Sequence, residues 1–320
     1  MPETQSLTIT SSYDGEMSLP YIAPALLSAD SIANGYVTLK EGVKKALILK
    51  VIAGGAMQAF ACDFEAQTGI TLAERVLTPA ELKVNVQLCK ADFRQDYEAM
   101  QTGAGFINDR IPPNFNTFLL QYLGEIVAKG IEQNMWQGNF DPLGSAGTPL
   151  VTDFDGFLKL YLAGANKTGT VDPWTGDDAT ATGIITHLGT LVTNAPVDIT
   201  GNPDSVIYMS RQSLFLLQVA MSSLTGTSHW SGEERPQTYN GYTIITPNGF
   251  PNNCALMTSI ANNVFGTDLV SDFNQAVVVD MTQTDGSDNV RLAMRFTAGV
   301  QVADITGYEL ICQTSITPAS

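Results

Sequence analysis

Between Pro112 and Gly138 the chain reads PPNFNTFLLQYLGEIVAKGIEQNMWQG, with apolar residues at Phe115, Phe118, Leu119, Tyr122, Leu123, Ile126, Val127, Ile131 and Met135. Steps of three and four residues mark one face of an α-helix. The pattern predicts a helix over about 113–138, with Ile126 on its buried face, so that Ile126→Asp should abolish folding. Asn114 or Asn116 is placed to cap the first turn. Gly138 stands where a left-handed residue ends a helix, and Pro142 bars resumption. A helix of roughly 22 residues spans about 33 Å, twice the usual length. It is either the core helix of an ordinary domain or a strut across a thin subunit.

A second pattern has period two. Leu82, Val84, Val86 and Leu88 alternate with Lys83, Asn85, Gln87 and Cys89, which predicts a strand. Upstream, Ala46–Ala61 is apolar and broken at Ala53-Gly54-Gly55-Ala56. Between them ACDFEAQTGITLAERVLTP has little regular pattern. Residues 39–98 therefore read as a long two-stranded excursion with an elaborated tip. An isolated two-stranded ribbon is marginal in water, so this one is expected to lean on something else, another subunit being one option. Its candidate contact residues are Lys44, Lys45, Lys50, Glu65, Thr71 and Arg75. The plainer role for the three lysines is a solvated edge that discourages strand addition.

Residues 1–38 show no sustained period and read as an extended arm. After the long helix, 139–178 is loop-rich around a short amphipathic piece, DFDGFLKLYLAG. Alternation of helix and strand follows: a helix over Ala179–Asn194, a buried strand Asp204–Met209, and a helix Arg211–Leu224 capped by Ser210. Next comes a strand Tyr239–Thr246 turning at Asn240-Gly241, then strands at Ala255–Thr258 and Ala276–Met281. The closing stretch Val290–Ile305 alternates Val290, Leu292, Met294 and Phe296 with Arg291, Ala293 and Arg295.

Composition changes the picture in one respect. Only 15% of the 320 residues are charged and the net charge is −16, against about 25% charged in an average protein. A chain this poor in charge is expected to hide surface against other chains. An acidic balance gives no electrostatic grip on phosphates. Cys62, Cys89, Cys254 and Cys312 are scattered without a CxxC pair, so four reduced, mostly buried thiols are expected. The N-terminal residues carry no secretory leader pattern, and no run approaches 18 apolar residues.

Candidate chemistry is sparse. His187 sits in a helical pattern and His229 in a loop beside Trp230. Asp153 and Asp155, and Asp285 and Asp288, lack the spacing of a calcium loop and read as turn and cap residues. No nucleophile-elbow, zincin, Walker or dinucleotide motif occurs. No enzyme activity, cofactor or metal is expected.

The order of parts resembles the tailed-bacteriophage major capsid protein with the Hong Kong 97-type fold. LTPAELKVNVQLCKADFRQDYEAM (Leu77–Met100) resembles a run in capsid proteins of phages infecting Bacteroidetes-type hosts. IEQNMWQGNF (Ile131–Phe140), then Asp153-Phe154-Asp155-Gly156, resembles the end of the spine helix. The segment Tyr239–Met281 resembles the passage from axial to peripheral domain. The resemblance implies an α+β fold with an N-terminal arm (1–38), an extended β-ribbon loop (39–98) and a peripheral domain (99–154) bearing the spine helix 113–138. An inserted axial domain (155–280) and closing peripheral strands and tail (281–320) would follow. It further implies self-assembly as hexamers and pentamers into an icosahedral phage head enclosing double-stranded DNA, with assembly in the host cytoplasm and final location in the virion. Portal, decoration and scaffolding proteins are the implied partners, with no membrane. The arm reads as too short for a large internal scaffolding region, so scaffolding is expected from a separate protein or from a removed segment. A nanocompartment (encapsulin-like) shell, a β-rich surface binding module and a hydrolase using the Asp-rich turns stand as the alternatives.

Overall fold

The computed structural model describes residues 29–43, 47–53, 71–89, 113–139, 153–164, 181–225, 237–252, 254–268, 275–281, 286–287 and 289–312. In chain order the elements are α1 (Asp30–Ala33), β1 (Thr38–Glu41), β2 (Leu47–Ala53), β3 (Thr71–Leu77), β4 (Ala80–Cys89), α2 (Pro113–Gln137), α3 (Phe157–Leu162), α4 (Ala181–Asn194) and α5 (Val197–Thr200). There follow β5 (Ser205–Met209), α6 (Arg211–Thr225), β6 (Thr238–Tyr239), β7 (Tyr242–Ile245), β8 (Cys254–Ser259), β9 (Asn263–Thr267), β10 (Gln275–Asp280), β11 (Asn289–Val302) and β12 (Tyr308–Cys312).

The first sheet is organised by β11. Its leading half lies between β4 and β10, both antiparallel to it, and its trailing half pairs with β9, which pairs in parallel with β1. The period-two signal of β11 is realised: Val290, Leu292, Met294 and Phe296 are buried, while Arg291 and Arg295 are exposed. From Phe296 to Val300 every residue is buried, so both faces of the strand are covered there. In β4 the predicted alternation also holds, with Leu82, Val84, Val86 and Leu88 turned inward. Arg291 Nε donates to Gln87 Oε1 at 2.8 Å across the pair.

The second sheet runs β12-β8-β5-β7-β6. β5 is buried along its whole length. The Ser213 N–H donates to Ser210 Oγ at 3.2 Å, the cap expected for α6. Asn240 (φ 49°) and Gly241 (φ 88°) make the two-residue turn between β6 and β7, a geometry only such residues adopt without strain. α4 packs on α6 and on β8 and β12.

One apolar core joins both sheets through α2 and α3. At its centre the fully buried Trp136 touches Phe157, Tyr208 and Phe250, with ring centroids 5.3, 5.1 and 5.2 Å away. α2 begins and ends close to prediction, but its inner face is rotated. Val127, Ala128, Ile131, Met135 and Trp136 are buried, whereas Ile126 is 52% exposed, on the side of Glu125 and Lys129. The count of apolar residues made the stripe too wide. Ile126→Asp is therefore expected to leave the subunit folded, with a stability change within about 0.5 kcal/mol in chemical denaturation. A loss of several kcal/mol would place Ile126 inside.

Four other expectations are corrected. β2 pairs with β3, inside the stretch read as patternless, and not with β4, which joins β11. Val76 is exposed and Leu77 buried, with Glu74 exposed and Arg75 half-buried, so apolar residues lie on both faces of β3 and the alternation is masked. Of the closing segment, β11 enters the first sheet but β12 pairs with β8 in the second, where all five of its residues are buried and Leu310 and Ile311 fill opposite faces. The cysteines are not all reduced. Cys254 and Cys312 stand opposite each other on β8 and β12 and form a disulfide, hidden from the sequence by its separation of 58 residues. Cys89 is a free thiol, and Cys62 lies outside the described residues. Finally, the stretch read as arm is packed at its end: residues 29–38 contain α1 and the start of β1, with Ile32 and Tyr36 against the core.

Candidate assembly surfaces

The two-stranded ribbon β2–β3 is fastened at its root. Arg75 donates through Nε and Nη2 to Gln301 Oε1 at 3.3 and 3.0 Å, and Gln301 Nε2 donates to the Val76 carbonyl at 2.8 Å. Leu77 is fully buried over Gly266, where a Cβ would come within 2.5 Å of its Cδ2. The chain at Thr78–Pro79 crosses Gly299, where a Cβ would sit 2.9 Å from the Pro79 Cα. At Gly299 the neighbour is backbone, so glycine is needed for this close approach, whereas at Gly266 an added Cβ would displace the Leu77 side chain. The ribbon therefore leaves the body at a fixed point.

Of the sequence candidates, Lys50, Thr71 and Arg75 share this ribbon. Lys50 lies directly opposite Glu74, and Thr71 opposite Ala53 at the end of the pairing. Arg75 is the one whose contacts are seen, and they clamp its own subunit. Lys44, Lys45 and Glu65 lie outside the described residues, as do Asp285, Asp288 and His229. Asp153 accepts from Asn134 Nδ2 at 2.9 Å. Asp155 accepts from Asn139 Nδ2 at 2.7 Å and from Lys159 Nζ at 2.6 Å, so both carboxylates are held in turn and helix-end contacts. His187 is half-buried in α4.

A second junction was not legible in the sequence. The Ser31 N–H donates to Glu132 Oε2 at 3.0 Å and its hydroxyl to Oε1 at 2.5 Å. Trp136 Nε1 donates to Ser31 Oγ at 2.8 Å and to Glu132 Oε1 at 3.2 Å. The polar residue sits within α2 on its buried side, four before Trp136, which is the one signal that could have revealed it. This latch ties residues 29–34 to the helix beside a cleft of about 410 Å³ that is also lined by Glu125, Lys129 and Asn248. Burial pushes the Glu132 carboxyl above its usual value, Asp30 adds to the push, and the Ser31 and Gly249 hydrogen bonds counter it. A carboxyl raised on folding binds its proton more tightly in the native state. Its contribution to stability is therefore complete below the unfolded pKa and is lost as pH rises through the folded one. Glu132→Gln is expected to show its largest advantage in melting temperature at neutral pH, shrinking as pH falls toward 4. Thermal unfolding of both proteins across that range checks this, and a difference independent of pH contradicts it.

Large apolar side chains also reach solvent, at Val76, Ile126, Val197, Phe215, Val219 and Val279. Sequence reasoning missed these because it assigned apolar residues to the core by default.

The sequence matches no protein-family model and no curated protein. Solved structures match nearly end to end. The satellite phage P4 procapsid, which includes the size determination (Sid) protein, covers 92% of this chain and 98% of its own at 13% identity, TM-score 0.57. The capsid of the native GTA particle (13% identity, TM-score 0.54) and that of Myoviridae phage XM1 (12%, 0.54) each cover 98% of this chain and 96% of their own. At such identity the likeness is one of fold, and the fold is shared along both chains.

Proposed function

We propose that this chain, built on the fold of phage capsid proteins, is the major capsid protein of a tailed phage. In this reading it assembles as hexamers and pentamers into an icosahedral head around double-stranded DNA. The observation that carries the reading is the end-to-end match of fold, which leaves little of either chain for another role. Two features agree with it. A ribbon fastened at its root and a charge content of 15% suit a subunit that spreads over its neighbours. A net charge of −16 lets packaged DNA lie against the shell without being trapped.

The domain division then follows the Hong Kong 97-type resemblance, with an N-terminal arm, an extended loop, a peripheral domain carrying α2, and an inserted axial domain. The role is structural and its place is the virion, after assembly in the host cytoplasm. Scaffolding, portal and decoration proteins are the expected partners. Electron microscopy of the purified protein, with light scattering, tests this. Closed polyhedra, tubes or discrete rings are expected, and shells filled with DNA in infected cells separate a phage head from a cargo compartment. A monodisperse monomer at every salt concentration, also after co-expression with a scaffolding protein, would overturn it.

A further inference from the structure

α6 has two unlike sides. Leu214, Leu217 and Ala220 are buried in the core. On the other side Arg211, Phe215 and Val219 follow one another at four-residue steps, so they form one stripe along the helix. Phe215 is 49% and Val219 40% exposed, and Arg211 is exposed. Arg211 is the sole charged residue among the fifteen of α6. The short α5, entered through Pro196, presents the opposite character. Val197 is 82% exposed, and next to it stands the exposed Asp198.

Each patch is open, so neither covers the other within the subunit. A second copy of the chain brings both. Copies carrying −16 each repel, and approach is easiest where charge is scarce and the one charge present is positive. An apolar knob with an acid beside it complements an apolar stripe with a cation at its end. A nucleic acid would find a single cation here, next to no further basic residue of α6.

We infer that α5 of one subunit docks on α6 of the next copy, with Val197 against Phe215 and Val219 and with Asp198 facing Arg211. Two different patches on one chain make a head-to-tail contact, which closes into a ring when its rotation allows. The inference rests on the shell reading above and names the surface by which its rings close.

Charge exchange tests it. Asp198→Arg and Arg211→Asp are each expected to raise the protein concentration needed for rings or shells about tenfold or more, since like charges then meet across the contact. The double exchange should return that concentration to within about threefold of the unchanged protein, because the pair is restored in reverse. Thermal unfolding of each variant should match the unchanged protein, both residues being exposed. Single exchanges that assemble normally, or a double exchange no better than the singles, would overturn the docking while leaving the shell reading intact. Loss of binding to another virion protein with unaltered ring formation would assign the patch to that partner and also overturn it. Failure of the unchanged protein to assemble would remove the shell reading and the docking together.

Discussion

Trp136→Ala is expected to lower the unfolding free energy by about 3–5 kcal/mol, the cost of emptying a large buried aromatic site. The indole is fully buried, it contacts three aromatic rings from α3, β5 and the turn before β8, and its Nε1 donates into the Ser31–Glu132 latch. Truncation removes the ring contacts and at the same time leaves a buried carboxylate and hydroxyl short of a donor. Natural domains hold only about 5–15 kcal/mol in total, so the loss is a large share of the whole. Trp136→Phe should retain much of the packing and lose the donor alone. Denaturant titration of the two variants separates these parts. A loss below about 1 kcal/mol for the alanine variant would mean that the core closes without the ring.

Replacing residues 54–70 by a two-residue turn between Ala53 and Thr71 is expected to leave a folded subunit that makes no closed shells. Ala53 and Thr71 already stand opposite each other at the end of the β2–β3 pairing, so a short hairpin fits without changing the register. The root contacts of Arg75, Val76 and Leu77 are untouched. Shortening the connection alters loop-closure entropy by roughly 2 kcal/mol at most, in the stabilising direction. Thermal unfolding should therefore be near normal while electron micrographs lose their particles. If the shortened protein unfolds instead, the segment serves its own subunit and the idea of a contact between neighbours falls. A deletion from Glu65 to Pro79 would not be informative, since it also removes β3.

The elements that the sequence announced are those with a short-range signal. The apolar spacing of α2, the alternation in β4 and β11, the Ser210 cap and the Asn240-Gly241 turn all depend on residues a few positions apart, and each is found where expected. What failed depends on partners far along the chain. Alternation says that β4 is a strand but not that it seeks β11, and it cannot tell which closing strand enters which sheet. The buried side of α2 is chosen by α3, the sheets and the turn at Phe250, so Ile126 was misplaced though the helix was not. Cys254 and Cys312 meet through strand register, which spacing does not encode. Of the candidate contact residues, Lys50, Thr71 and Arg75 proved to share a ribbon, yet the Gln301 that holds its root carried no signal beyond being polar in an apolar strand.

The order in which the chain is made adds a further constraint. β1 pairs with β9, and the Thr38 hydroxyl donates to the Ile260 carbonyl 222 residues downstream. At 5–20 residues per second a ribosome needs roughly 10–45 s to deliver that partner. β4 must likewise wait for β11, near the end of synthesis. Both early strands thus leave the ribosome as unpaired edges. A nascent chain cannot complete its first sheet, or fix the root of its ribbon, until almost all of it exists. Until then each edge stays open to pairing with other chains.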